Sequence, residues 1–451
     1  MRHLLQHATR ANNMSLLFPT RDSLANRISF YHLAAFLVSL PFDRFYSHLV
    51  FISLCIHTFI HFNKLVIKPI FTKRTLVLQA VFWVTAASTI YATNKALAFN
   101  EWGLDITILL MPLLLCINPI DLKRYRSRLL MIFAISQAAV IVYLYINAVI
   151  TIRFYGMPLS ALFSPAFTNH NFAQPIDMHA TFFSMQIAVA LIYVVSALMK
   201  EGKTINRIIY TIVGLILLAG IIQLSSKSVI AALFLTISIV LPIFSLLGAR
   251  RIRFISVAAS SAIIVFIILC NIRAFRDRYV TELKEDFSTA KPNQRVESRV
   301  LRWQLAADLI RQKPIIGHGA GSEIPLLQDQ YFAKKYYTSY LHRLNAHNEY
   351  LSFLIKSGIW GLVVYIITLA YGFRLATRKK DVVFFGFMLL LVIVSLSENI
   401  LDVDKGVMFY SFFFPFFVFV AEQKSKLILP AKRHKNVRNV ATNRMAVTSI
   451  E

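Results

Sequence analysis

The sequence predicts an all-α polytopic membrane protein, with about twelve transmembrane helices and one large helical loop on the non-cytoplasmic side. Three observations predict it. Of 451 residues, 57% are hydrophobic and only 16% charged, with 37 Phe and a mean hydropathy of +0.59; a soluble chain carries about a quarter charged residues. Apolar runs near the ~20 residues that a bilayer requires recur along the chain. Basic residues gather in alternate connections, as the positive-inside rule demands. A cytosolic enzyme, a disordered scaffold and a secreted disulfide domain are thereby excluded. The formal charge of +26 follows from topology plus a basic tail, so nucleic acid is not needed to explain it.

The expected spans are 28–42, 46–62, 75–92, 103–120, 129–150, 179–199, 208–224, 228–247, 254–272, 358–375, 382–398 and 407–421. Pro41 and Asp43-Arg44 interrupt the stretch that holds the first two. Cytoplasmic connections hold Lys64 to Arg74, Lys123 to Arg128, Lys200 to Arg207, Arg250 to Arg253 and Arg374 to Lys380. The opposite short connections hold only Arg44, Lys95, Arg153, Lys227 and Lys405. Both termini are therefore expected in the cytoplasm: a polar segment 1–27, then spans over 28–272, an outer loop over 273–357, spans over 358–421, and a tail over 422–451. The tail, basic from Lys424 to Arg444, suits anionic headgroups. Cys55, Cys116 and Cys270 are scattered in apolar stretches, with neither a disulfide nor a metal spacing.

The outer loop breaks the charge rule. Long loops cross a membrane largely regardless of charge, and one this long and basic favours an anionic ligand on its side of the bilayer. From Glu297 to Ile310 it reads as an amphipathic helix, with Leu301, Leu305 and Leu309 forming an apolar stripe. Arg299 and Arg302 share a face, and Arg295 joins them if the helix starts early. Two guanidinium forks suit a pyrophosphate, because each holds two oxygens and neither loses its proton. Ion pairing with Glu297 or Asp308 is the alternative reading. The Gly317-His318-Gly319-Ala320-Gly321 string reads as a tight turn, since no strand precedes it and no lysine with Ser/Thr closes it.

His347 lies where the loop returns to the membrane. An imidazole there can take a proton from a hydroxyl, or serve as a hydrogen-bonded structural residue. His318, His342 and His347 lack the spacing of a metal site, and no cofactor is expected. Further outer segments hold Thr168 to Asn171, Asp177 to His179, and the turn 398–405 with Glu398, Asn399, Asp402, Asp404 and Lys405. These acidic side chains either hold sugar hydroxyls, orient His347, pair with the basic loop, or are simply solvated. His179 and Asp402, at span ends, are the stronger candidates.

Arg299-x3-Trp303, Pro314-x2-Gly317-x-Gly319, His347-Asn348-x-Tyr350-Leu351 and Gly358-x2-Gly361, in one outer loop of a multi-span chain, together resemble the O-antigen ligase and polymerase family. The resemblance implies a metal-independent bacterial inner-membrane glycosyltransferase with its active site facing the periplasm. Its donor would be a glycan on undecaprenyl pyrophosphate, and its acceptor a lipid A core or a second lipid-linked glycan, with membrane lipids as further partners. Carried over by position, Arg299 would bind pyrophosphate and His347 would activate the acceptor hydroxyl. Trp303, Asn348 and Tyr350 belong to the same motifs and become substrate-binding candidates. A further family arginine follows a Ser; Ser225-Ser226-Lys227-Ser228 puts Lys227 there, which keeps the charge without the fork. The ligase branch is the favoured reading. The rival from another class is a flippase or transporter of lipid-linked glycans. That rival would need ionisable residues near mid-bilayer or inverted repeats, and the expected spans read as almost uncharged, with Lys356 able to snorkel to the interface.

Overall fold

In a computed structural model, residues 22–61, 68–286 and 298–423 are described. Arg295, Glu297, residues 1–21 of the amino-terminal segment and the tail beyond residue 423 lie outside them. A helix that is apolar all round must be surrounded, either by other helices or by lipid. Helix Asp404–Glu422 takes the first solution: every residue from Lys405 to Ala421 is buried. Its rings meet those of the helices around it, Phe412 on Phe36, Phe413 on Phe133, Phe417 on Phe384 and Phe409 on Phe387. Helix Ala180–Leu198 is buried over nearly its whole length. Helix Gly248–Cys270 takes the second solution, with no buried residue, and leaves Ile263, Ile264, Phe266 and Ile267 open to lipid.

The protein is all-helical among the described residues. Eight of the helices are long and apolar enough to cross a membrane: Lys95–Ile117, Leu122–Phe154, Ala180–Leu198, Thr204–Leu224, Lys227–Ser245, Gly248–Cys270, Glu349–Lys379 and Asp404–Glu422. Arg44–Ile60 and Val382–Val394 are shorter apolar helices, and Leu24–Ser39 and Lys73–Thr89 have 16 and 17 residues.

The loop helix runs Arg299–Gln312, opened by Ser298, whose hydroxyl accepts the Leu301 N–H. Its expected stripe is buried: Leu301, Leu305 and Leu309 all face inward. Leu305 and Leu309 pack with Leu327, Tyr331, Ala346 and Ile355. This small core fastens the loop to the returning helix, Glu349–Lys379.

The glycine string is the turn that its composition predicts, and it has a docking place. Gly358 breaks the returning helix at φ 61°, exposing backbone groups on both sides of the break. The turn fills it: His318 N–H donates to Ile355 O (2.8 Å), Gly319 N–H to Lys356 O (2.8 Å) and Ile359 N–H to Pro314 O (2.9 Å). Gly317, Gly319 and Gly321 all have positive φ, which favours glycine. A Cβ on Gly317 would stand 2.6 Å from the Gly358 nitrogen, and one on Gly321 2.7 Å from the Leu97 carbonyl carbon. His318 is structural here, its Nε2 bonding Leu309 O.

One expectation is overturned. The spans are not nearly uncharged: Asp105 is buried midway along Lys95–Ile117 and accepts a hydrogen bond from Thr85 (2.9 Å). Nor does Lys356 snorkel. Its ammonium pairs with Asp402 (2.6 Å) and Glu101 (3.5 Å) inside the bundle. A hydropathy window reads one segment at a time, whereas here separate segments pool their charges and neutralise each other.

Candidate active site

The N-terminus of the returning helix meets the turn that follows Val382–Val394, and the contact centres on Glu398. One carboxylate oxygen lies 3.0 Å from His347 Nδ1 and the other 3.8 Å from Arg299 Nη2, while Arg299 Nη1 donates to Ser397 O (3.1 Å). Burial pushes the Glu398 carboxyl up. The His347 hydrogen bond and the charges of His347, His179 and Arg299 outweigh that and hold it down at about 2. Glu398 is therefore ionised and can only accept, so Nδ1 of His347 donates to it, an arrangement that in a neutral ring leaves the lone pair on Nε2. That is the geometry of a base held by an orienting carboxylate.

Backbone strain marks the same place. His347 stands at φ 47°, with its N–H on Asn345 Oδ1 (3.0 Å). Left-handed backbone is uncommon in residues other than glycine. Asn169, Asp177 and Ser225 adopt it too, each within two residues of His170, His179 or Lys227.

A second cationic group lies at the start of helix Lys227–Ser245. Lys227 Nζ is 3.7 Å from Glu282, which Arg278 also pairs, and Arg278 Nε reaches Ser225 O. The rings of His170 and His179 are 4.3 Å apart. His170 feels Arg278 and Glu282 on one hand and Glu398 and His347 on the other. Burial lowers the His179 pKa to about 4, with Glu398 opposing it.

The remaining sequence candidates are positioned differently. Trp303 donates its indole N–H to Ala346 O (3.0 Å), which holds the loop helix against the residue before His347. Asn348 caps the returning helix through Leu351 N–H, and Tyr350 donates to Val392 O (3.0 Å). These three brace the site. Arg302 is buried beneath the loop helix, rather than beside Arg299 on an open face.

Asp402 belongs elsewhere. With Glu101, Asp105, Glu323, Glu349 and Lys356 it lines a cavity of about 180 Å³ behind the turn. Burial raises Asp402, but the Lys356 charge beside it holds the carboxyl below its usual range. Glu323, buried among carboxylates, is raised to about 7.

Residues 212–366 match the family model described as O-Antigen ligase. That stretch resembles the O-antigen ligase family. The resemblance seen in the motifs is thereby borne out, and with the apolar helices it makes the chain a membrane protein of polysaccharide biosynthesis with an O-antigen ligase or polymerase type of function. No curated protein matches the chain. Lys227, Arg278, Arg299 and His347 fall inside the matched stretch, whereas His170, His179 and Glu398 lie outside it. Glu398 was legible only as one of several acidic residues in an outer turn. Arg278 and Glu282 carry no motif; their four-residue spacing is the single local signal that they pair.

Proposed function

We propose that this O-antigen ligase-type protein is a bacterial inner-membrane glycosyltransferase. It moves a glycan from undecaprenyl pyrophosphate to a sugar hydroxyl, with the lipid A core as acceptor and the site facing the periplasm. The observation that carries the proposal is the Glu398 carboxylate shared between His347 and Arg299. It supports a base with a fixed tautomer beside a guanidinium fork, at the membrane end of a basic loop.

In the reaction, His347 Nε2 takes the proton of the acceptor hydroxyl as its oxygen attacks the anomeric carbon. The bond from that carbon to the phosphate oxygen breaks, and undecaprenyl pyrophosphate leaves with the electron pair. Arg299 and Lys227 stabilise the charge that develops on it, aided by the N-terminus of helix Lys227–Ser245. Arg278, on the same Glu282 carboxylate as Lys227, brings a fork next to the position where lysine replaces the family's arginine. Attack opposite the leaving group inverts the anomeric configuration, and a retained configuration in the product would refute it.

The test supplies purified full-length protein with lipid-linked donor and either lipid A core or a second donor molecule. Extension of the core supports the ligase, and extension of the donor makes the protein a polymerase. His347→Ala should lose about 10²–10⁴-fold in transfer, the usual worth of a general base; unchanged transfer would remove His347 from the mechanism. A flippase gains one argument from the buried Asp105 and Lys356. It predicts that translocation of a labelled donor survives His347→Ala with no transfer product formed by the wild type.

A further inference from the structure

We infer that Glu323 and Asn399 are positioning residues that set His347 and Glu398 in register; the inference rests on the transferase reading. His347 is flanked by Ala346 and Asn348, and both backbone N–H groups are held by this one pair. Ala346 N–H donates to Glu323 Oε1 (2.9 Å) and Asn348 N–H to Asn399 Oδ1 (2.7 Å). The two side chains are themselves joined, Asn399 Nδ2 donating to the Glu323 carboxylate oxygens at 3.1 and 3.2 Å. Asn399 adjoins Glu398 in the chain. A single bridge therefore reaches the residues before and after the base and the residue after its orienting carboxylate.

Nothing in the bridge is spare. Asn399 Nδ2 also donates to Asp402 (2.7 Å), so both its hydrogens and its oxygen are used. Glu323 and Asn399 are 3% and 2% exposed. The glycine turn explains how Glu323 arrives there. Pinned in the Gly358 break and against Leu97, Gly317–Gly321 ends one residue before Ser322, and Glu323 opens helix Glu323–Ala333 directly beneath Ala346. The string that reads as a bare turn thus delivers a carboxylate to the base. His347, held at φ 47°, needs such outside restraint to keep its ring on Glu398.

The test compares full-length wild type with Glu323→Ala and Asn399→Ala in detergent, with ¹⁵N-labelled histidine. His347→Ala identifies the resonance. Wild type should show a His347 Nδ1–H bonded to a carboxylate, and both variants should lose that signature while remaining folded by thermal melting. Their kcat for transfer should fall about 100-fold, as a misplacement near 1 Å costs, with KM for the lipid-linked donor unchanged. An intact His347 signature in the folded variants overturns the inference, as does a loss confined to melting temperature. If Asn399→Ala fails to fold, Glu323→Ala, which removes the acceptor of both Ala346 N–H and Asn399 Nδ2, decides alone. The resonance is read without any transfer, so a wild type that transfers nothing refutes the transferase reading and leaves the positioning question to the spectrum.

Discussion

Two groups of charged side chains sit back to back at one end of the bundle, and they are built on opposite plans. Around Lys356 the charges close on each other: the ammonium is paired to Asp402 and Glu101, with side-chain exposures of 12%, 16% and 23%. Around Glu398 the grip is uneven: His347 lies 3.0 Å from the carboxylate, whereas Arg299 stands 3.8 Å from it, at the loose limit of an ion pair. The lesson is that burial of charge alone does not mark a reactive site. A closed set has spent its interactions on the fold, whereas a set held at longer range can exchange a partner for a ligand.

The comparison can be broken from either side. Lys356→Met should have the largest effect on stability, about 3–5 kcal/mol, because it strands Asp402 and Glu101 as unpaired buried carboxylates. Thermal unfolding in detergent measures it, and transfer per folded molecule should stay near wild type. Arg299→Lys should do the reverse. It keeps the charge and loses the fork, costing transfer about 10–100-fold, the worth of a hydrogen bond to a charged group at ~1.5–3 kcal/mol, with little change in melting. Exchanged outcomes for these two variants would show that the two groups had been assigned the wrong way round.

The smallest effect sharpens the boundary between the two groups. His179 titrates near pH 6.5 when unfolded and near 4 when folded. A histidine with a depressed folded pKa contributes stability above pH 6.5. As pH falls from there the unfolded chain binds the proton first, so that contribution drains away down to about pH 4. His170, lowered in the same sense, adds to the slope. His179→Phe should flatten part of the fall in melting temperature over that window, and an unchanged slope would mean that His179 is solvated in the folded protein.

The loop helix was readable because its signal is local. Leu301, Leu305 and Leu309 repeat at the helical period, and Ser298 stands where a cap must. The glycine string was readable as a turn for the same reason. What it docks against was not, since Gly358 lies far along the chain and its φ is a property of the packed helix. Arg302 shows the limit of periodicity: sharing a helix face with Arg299 does not put two residues in one environment when the helix lies flat on a core. Asn348 and Tyr350 sit in a motif, yet their polar atoms go to a cap and a carbonyl.

Composition and the spacing of basic residues determined by themselves that this chain is a bundle of membrane helices with one charged loop, because hydrophobic burial and charge placement act through sums over segments. Motif order was enough to single out Arg299, His347 and Lys227. Only the tertiary structure decided that Glu398 holds the ring of His347, that Asp402 answers to Lys356 instead, and that Glu323 and Asn399 hold the backbone on either side of His347. A hydrogen bond is a relation of about 3 Å between atoms whose separation in sequence carries no trace of it.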